Sequence, residues 1–354
     1  MMRKEDDRVP TGRIVFIGAV HEAHPALQAL LEMGADVAAV VTLTHRRTEA
    51  LAGGVDLEPL ATSFGVPVLR TENLNDRAEV ERLRALSPDL LVVVGWTRLL
   101  GTELLQVPQR GCVGFHASLL PHHRGRAPVN WAILRGETFT GNTMMFLDPG
   151  ADTGDIIGQR RVDITPEDTC ATVYAKVAAA GAEMLREHLP ALLAGRAPRR
   201  PQDPHVGDLL PKRTPEMGIT DFDRPARAVH DWIRALTEPY PGAFGFVGAT
   251  KLFLWRSAVP GPDCAEAPPG VIVGCDAEAL RVATADRVLR ILLVQEEGGP
   301  KEPGASWYLR RSGSAGPASK LRFAPADRAT SRWALGLEGA TGSAFSSLAN
   351  RGGS

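Results

Sequence analysis

Hydrophobic positions in the first half of the chain follow two alternating rhythms. RIVFIGAV (13–20) is a short apolar run, and HPALQALLEMGA follows it with Leu27, Leu30 and Leu31 at helical spacing and Gly34 as a stop. The alternation repeats with DVAAVVTL (36–43), the helical LEPLATSFG, the strand VPVLR, the helical DRAEVERLRALS and a fourth strand in PDLLVVVGW (88–96). Strands alternating with helices predict parallel pairing and an α/β fold, a Rossmann-like, doubly wound, mostly parallel sheet. In such sheets ligands bind beyond the carboxyl ends of the strands. The first strand is not followed by G-x-G-x-x-G, which disfavours a dinucleotide site.

GCVGFHAS (111–118) and NTMMFL (142–147) read as further strands, and DPGADTGDII (148–157) as a loop rich in Asp and Gly. TPED (165–168) resembles a capping box opening a helix that runs to Gly195. The stretch 196–218 holds five prolines and no periodicity, as a linker would. A second module follows, with a helix over 223–236 capped by Asp223 and Val229, Ile233 and Leu236 on one face. Short runs come after it: AFGFVG, KLFLWRSAV, GVIVGC, ALRVATAD and VLRILLVQ. Their close spacing predicts a small, OB-like β-barrel. The expected organisation is a catalytic α/β domain over 13–195, a linker over 196–218, a β-barrel domain over 219–296 and a flexible Gly/Ser/Ala/Arg-rich tail over 297–354.

Bulk properties narrow the class. The 354 residues give room for two domains. A 44% apolar and 23% charged composition is that of a soluble globular protein. A formal charge of -1 gives no global pull toward nucleic acid or anionic membrane. No apolar run reaches the roughly 18 residues that span a bilayer, and the charged N-terminus lacks a signal core. Cys112, Cys170, Cys264 and Cys275 show no metal-site spacing and read as reduced thiols of a cytoplasmic protein.

Two polar clusters end neighbouring apolar strands: His116, Ser118, His122, His123 and Arg124 on one, Asp148, Asp152 and Asp155 on the other. A His and an Asp meeting at the carboxyl edge of the sheet form an oriented acid–base pair. A lone His after a strand is more often structural, and Asp in a glycine-broken loop is usually a turn former. A metal site is disfavoured, because the adjacent His122 and His123 rarely point at one ion.

The stretch HASLLPHHRGRAPVNWAILRGETFTGNTMMFLDPGADTGDII resembles the formyltransferases that use 10-formyltetrahydrofolate. The shared pattern is H-x-S-L-L-P…R-G…P joined to T-G-x-T…D-x-G-x-D-T-G. The second module resembles that family's C-terminal β-barrel domain, so the likeness spans about residues 13–296. The resemblance implies direct attack of an amine on the formyl carbon, with His116 and Asp152 as catalytic residues. It implies a formyl donor held by Arg98, Leu99, Leu100, Asp148 and Ala151. Ser118, Arg124, Arg126, Asn130 and Trp131 are the expected acceptor residues, with Arg124 and Arg126 either binding an anionic group or bracing the loop. The RGRAPVNWAI and YPGAF stretches are closest to amino-sugar N-formyltransferases. The near-neutral charge also favours a small-molecule amine over tRNA, while leaving methionyl-tRNA open.

One position departs from the family pattern. The residue two before the histidine, an Asn in that family, is Gly114 here. Loss of one oxyanion donor commonly costs on the order of 10²–10³ in rate. Three readings stay open: formyl transfer with water, Asn142 or Asn130 as a substitute donor; variant one-carbon chemistry, including hydrolysis, on a folate donor; or a folate- or metabolite-binding protein without catalysis. Neither the acceptor amine nor the oligomeric state is legible.

Overall fold

Each short apolar run of the first half becomes a strand, largely buried in all but the half-buried VPVLR run. The computed structural model describes residues 11–314, 321–326 and 328–336. β1 (Arg13–Gly18), β2 (Asp36–Leu43), β3 (Val68–Thr71), β4 (Leu90–Val94) and β5 (Cys112–His116) pair in parallel. β6 (Arg124–Gly125) lies outside this sheet. β7 (Phe139–Phe146) and β8 (Ile156–Asp163) complete it antiparallel, in the order β3-β2-β1-β4-β5-β7-β8. The run IIGQRRVD conceals β8 from sequence reading, because its middle is solvent-facing and charged.

Helices cover both faces. α1 (Ala23–Glu32) and α7 (Cys170–Leu193) bury Leu27, Leu30, Met184 and Leu185 against Phe16, Val92, Val113 and Met144. On the other face, α4 (Arg77–Ala85) and α5 (Thr102–Leu105) pack Val80, Leu83 and Leu104 against Val15, Ile17, Leu91 and Cys112. α2 (His45–Glu49) and α3 (Glu58–Ser63) are short connectors. The TPED segment forms a turn, with Asp168 Oδ2 accepting the Thr165 N–H at 2.7 Å, and α7 begins only at Cys170.

Compactness divides the chain differently from the sequence boundaries. One unit comprises 1–128, 139–163 and 172–210; the other comprises 129–138, 164–171 and 211–354. Most of α6 (Pro128–Leu134) therefore belongs with the C-terminal unit. The expected linker is not a spacer. Its first part supplies β9 (Leu209–Leu210), which pairs in parallel with β6.

In the C-terminal unit, α8 (Ala226–Leu236) buries Val229, Ile233 and Leu236 as its spacing predicts. Asp223 does not cap it; the Ala226 N–H donates to Asp286 Oδ1 at 2.7 Å instead. β10 (Ala243–Val247), β11 (Thr250–Ser257), β12 (Ile272–Cys275), β13 (Leu280–Ala283) and β14 (Val288–Glu296) form an antiparallel sheet in the order β10-β11-β14-β13-β12. β15 (Lys301–Pro303) pairs with β14.

The tail expected over 297–354 is partly ordered. After β15 comes α9 (Gly304–Ser314), whose fully buried Trp307 donates from Nε1 to Glu296 at 2.8 Å. Residues 321–324 then join the two edges of the sheet. Phe323 bridges Val247 beside Arg322 bridging Val271, and Phe323 is buried. α10 (Arg328–Ala334) follows. A low-complexity composition concealed a tryptophan and a phenylalanine at the positions that carry this packing. The remainder of that tail, 315–320, 327 and 337–354, lies outside the described residues.

Candidate functional site

β5 ends at His116, which places its imidazole at the carboxyl edge of the sheet, 7% exposed. Nδ1 faces Asp152 Oδ1 at 3.5 Å. Nε2 lies 2.6 Å from the His123 carbonyl oxygen, so that nitrogen carries the hydrogen. The structure thus brings together the two residues that the sequence pairs. Asp152 is held in turn: its Oδ2 accepts the Gly125 N–H at 2.8 Å, and its backbone is left-handed, with φ of 58°. Gly125 itself has φ of 98°, and a Cβ there would stand 2.6 Å from the Leu210 carbonyl oxygen. Only glycine lets the β6 backbone come this close to both β9 and the carboxylate.

The segment after β8 and α7 braces this arrangement, and sequence reading missed it. Gln202 Nε2 donates to the carbonyls of Asp152 and Gly154 at 2.9 and 2.8 Å. Its Oε1 accepts from Arg124 Nε and Nη2 at 3.2 and 2.9 Å. Asp208 Oδ1 accepts the His123 N–H at 2.8 Å, which fixes the carbonyl facing His116. The signal was a Gln and an Asp among the prolines of RRPQDPHVGDLL, which polarity alone marks as a loop.

Several expected acceptor residues are committed elsewhere. The Arg124 guanidinium is buried and also donates to the Val206 and Asp203 carbonyls, so it braces the loop rather than holding an anion. Ser118 Oγ donates to the His122 carbonyl at 2.7 Å. Asn130 and Trp131 are buried in the C-terminal unit, donating to the Ala235 and Pro211 carbonyls at 2.6 and 3.1 Å. Both follow the strand end directly in sequence, yet they pack as core. Arg126 is exposed, as is His122.

The expected donor-binding segment follows β4. Arg98 is exposed, with Nη1 donating to the Glu72 carbonyl at 3.3 Å. Leu99 is 58% exposed, an unusual display for a leucine, whereas Leu100 is core. Asn75 holds the turn between them, donating to the Leu99 carbonyl at 3.0 Å and accepting the Gly101 N–H at 2.7 Å. Asp148 folds the second loop on itself, accepting from Thr153 Oγ1 and the Gly150 N–H, and leaves Ala151 exposed.

Gly114 is not an empty position. A Cβ built there would stand 2.6 Å from Leu147 Cδ2 and 3.2 Å from Cγ. The leucine occupies the volume where an Asn side chain would begin. Neither proposed stand-in reaches this face. Strand register puts His116 opposite Thr143 and Gly114 opposite Met145, so Asn142 points to the other side of the sheet, where its Nδ2 donates to the Val177 carbonyl. The Asn130 amide is committed to Ala235.

Cys112, two residues before Gly114, is a buried thiol whose pKa burial pushes up to about 12, so it stays protonated and inert.

Comparison with known proteins identifies the family. Residues 12–189 match the family model "Formyl transferase", and residues 212–312 match "Formyl transferase, C-terminal domain". A methionyl-tRNA formyltransferase of Myxococcus xanthus (strain DK1622) is 39% identical over 289 residues, covering 81% of this chain and 91% of that protein. Among solved structures, HypX from Aquifex aeolicus aligns with a TM-score of 0.64 at 20% identity, covering 89% of this chain and 49% of HypX, so the chain spans about half of that protein's length. The N-formyltransferase from Helicobacter canadensis in complex with folinic acid and dTDP-3-aminofucose aligns with a TM-score of 0.59 at 16% identity, over 81% of this chain and 99% of that one. At these identities the two structures speak for the fold alone. With both parts of the chain matched by family models, this protein belongs to the formyltransferase family.

Proposed function

We propose that the chain transfers the formyl group of 10-formyltetrahydrofolate to a primary amine or hydroxylamine. The observation that carries this reading is the His116–Asp152 pair at the carboxyl edge of the sheet, held from both sides by backbone and by the Gln202 brace. Exposed Leu99 offers an apolar surface suited to a flat pterin, beside a turn made rigid by Asn75. When bound, the folate supplies the activated formyl carbon. Arg98, Leu99 and the 148–151 loop are the residues that would hold it.

The amine attacks as its neutral form. A C–N bond forms as the carbonyl electron pair moves onto oxygen. The bond to the folate nitrogen then breaks as that nitrogen takes up a proton, and one proton leaves the amine. His116 is the group placed to accept that proton, and Asp152 stabilises the imidazolium that results. Leu147 over Gly114 removes the space for an amide donor to the oxyanion. Turnover is therefore expected to be slower, by on the order of 10²–10³, than in a site with that extra donor.

The acceptor we favour is a small-molecule amine, in keeping with the near-neutral chain. A second reading, methionyl-tRNA, is favoured by the relative that matches over 91% of its own length. The test is incubation with 10-formyltetrahydrofolate and a panel of amines, including methionyl-tRNA, followed by mass spectrometry. Gain of one formyl unit by a small amine is the expected result. Formylation of methionyl-tRNA alone would install the second reading, and no formylated product from any acceptor would overturn both.

A further inference from the structure

Against the other face of β5, between α1 and α7, lies a cavity of about 50 Å³. Phe115 and Ala117, the neighbours of His116, line it together with Gly95 at the end of β4. The volume suits a few waters or a group of a few heavy atoms. It opens at the same sheet edge as His116, on the face opposite Leu147 and Leu100.

Two acceptors border this space with little to accept from. Asn142 is buried, and its Nδ2 donates to the Val177 carbonyl at 2.8 Å. That bond fixes the amide orientation, because the reverse would set two oxygens against each other. Asn142 Oδ1 is thereby left buried with no partner. Glu22, half-buried just before α1, is the other. Burial raises its carboxyl pKa, its own backbone N–H offsets this only in part, and no ion pair reaches it among the described residues. Gly181 keeps the space open, since a Cβ there would stand 2.8 Å from Asn142 Nδ2. A carboxyl and an amide oxygen bordering one small cavity are complementary to a group that brings hydrogens and positive charge.

We propose that this cavity recognises a cationic, hydrogen-bond-donating end group of the amine acceptor, an ammonium or guanidinium, with Glu22 and Asn142 as the specificity-determining residues. The proposal rests on the formyl-transfer reading and places the acceptor's far end on the face opposite the formyl donor. A thioether side chain brings a hydrogen to neither residue, so the cavity selects against it.

The first test needs no turnover. Guanidinium chloride at low millimolar concentration is titrated into the full chain while the Asn142 side-chain amide and the Glu22 carboxyl are followed by NMR. Saturable shifts of both signals are expected, lost in Glu22→Gln and in Asn142→Val. Absence of saturation, or shifts surviving both substitutions, overturns the site. The second test compares acceptor pairs that differ only in ending with ammonium or methyl. The wild type should prefer the ammonium member by at least about tenfold in kcat/KM, and Glu22→Gln should erase the preference. Formyl transfer without preference overturns the pocket assignment and leaves the reaction standing. Guanidinium binding with no transfer to any amine overturns the reaction, and the acceptor role with it.

Discussion

The two faces of β5 handle polarity in opposite ways within a few residues. On the Gly114–His116 face, both imidazole nitrogens have a neighbour, Asp152 is bound by backbone, and Leu147 closes the remaining space. On the Phe115–Ala117 face, a cavity keeps a buried amide oxygen unsatisfied and a carboxyl pushed toward its neutral form. The first face carries the family's motif and is nearly finished without ligand. The second carries no motif and is unfinished. The chemistry shared across a family and the choice of what to act on can thus occupy opposite sides of one strand.

Substitutions can break this contrast, beginning with the largest effect. His116→Ala and Asp152→Asn should each lower kcat by at least about 10²-fold with the far-UV spectrum unchanged; undiminished turnover in either would remove the assigned role. Gly114→Asn comes next. Alone it forces Leu147 aside, at about 1–3 kcal/mol in denaturant unfolding, and should lower activity. Combined with Leu147→Ala, which vacates the volume, it should recover activity to at least the wild-type level. If the single variant is as stable and as active as wild type, Leu147 is not what fills the site. The smallest effect belongs to the other face. Asn142→Val removes an unpaired buried oxygen and should leave Tm unchanged or raise it, by the equivalent of about 1 kcal/mol. Glu22→Gln should help in a pH-dependent way. A carboxyl whose folded pKa lies above its unfolded value burdens the fold only as pH rises past the ordinary carboxylate range. The stability gain should therefore vanish in acid and grow toward neutrality; a gain largest in acid would contradict the burial of Glu22.

Much of this was legible in the sequence because it rested on periodicity and on a motif. The five parallel strands are continuous apolar runs, and the His116–Asp152 pairing sits in a pattern with fixed spacing. What stayed hidden depends on which way side chains face. Asn142 looked like a spare donor until strand register turned it away from His116. Asn130, Trp131 and Arg124 looked like ligands because they follow the strand end directly, yet each satisfies a backbone carbonyl. Leu147 and Gly114 are thirty-odd residues apart in sequence, and only antiparallel pairing of β5 with β7 brings the leucine over the glycine. Composition misled most over 297–324, where Gly and Ser surround the few aromatic residues that bind the segment to the barrel.

The interleaving of the two units has a consequence for synthesis. Residues 129–138 and 164–171 leave the ribosome among segments of the first unit, yet the bulk of their own unit begins only at residue 211. The sheet edges joined by 321–324 wait longer still. Apolar Trp131 and Ile133 must therefore stay uncovered through much of translation, a window in which a trailing chain is exposed to aggregation and to holding factors. Slowing elongation between residues 140 and 210 would lengthen that exposure, whereas slowing it after residue 324 would not.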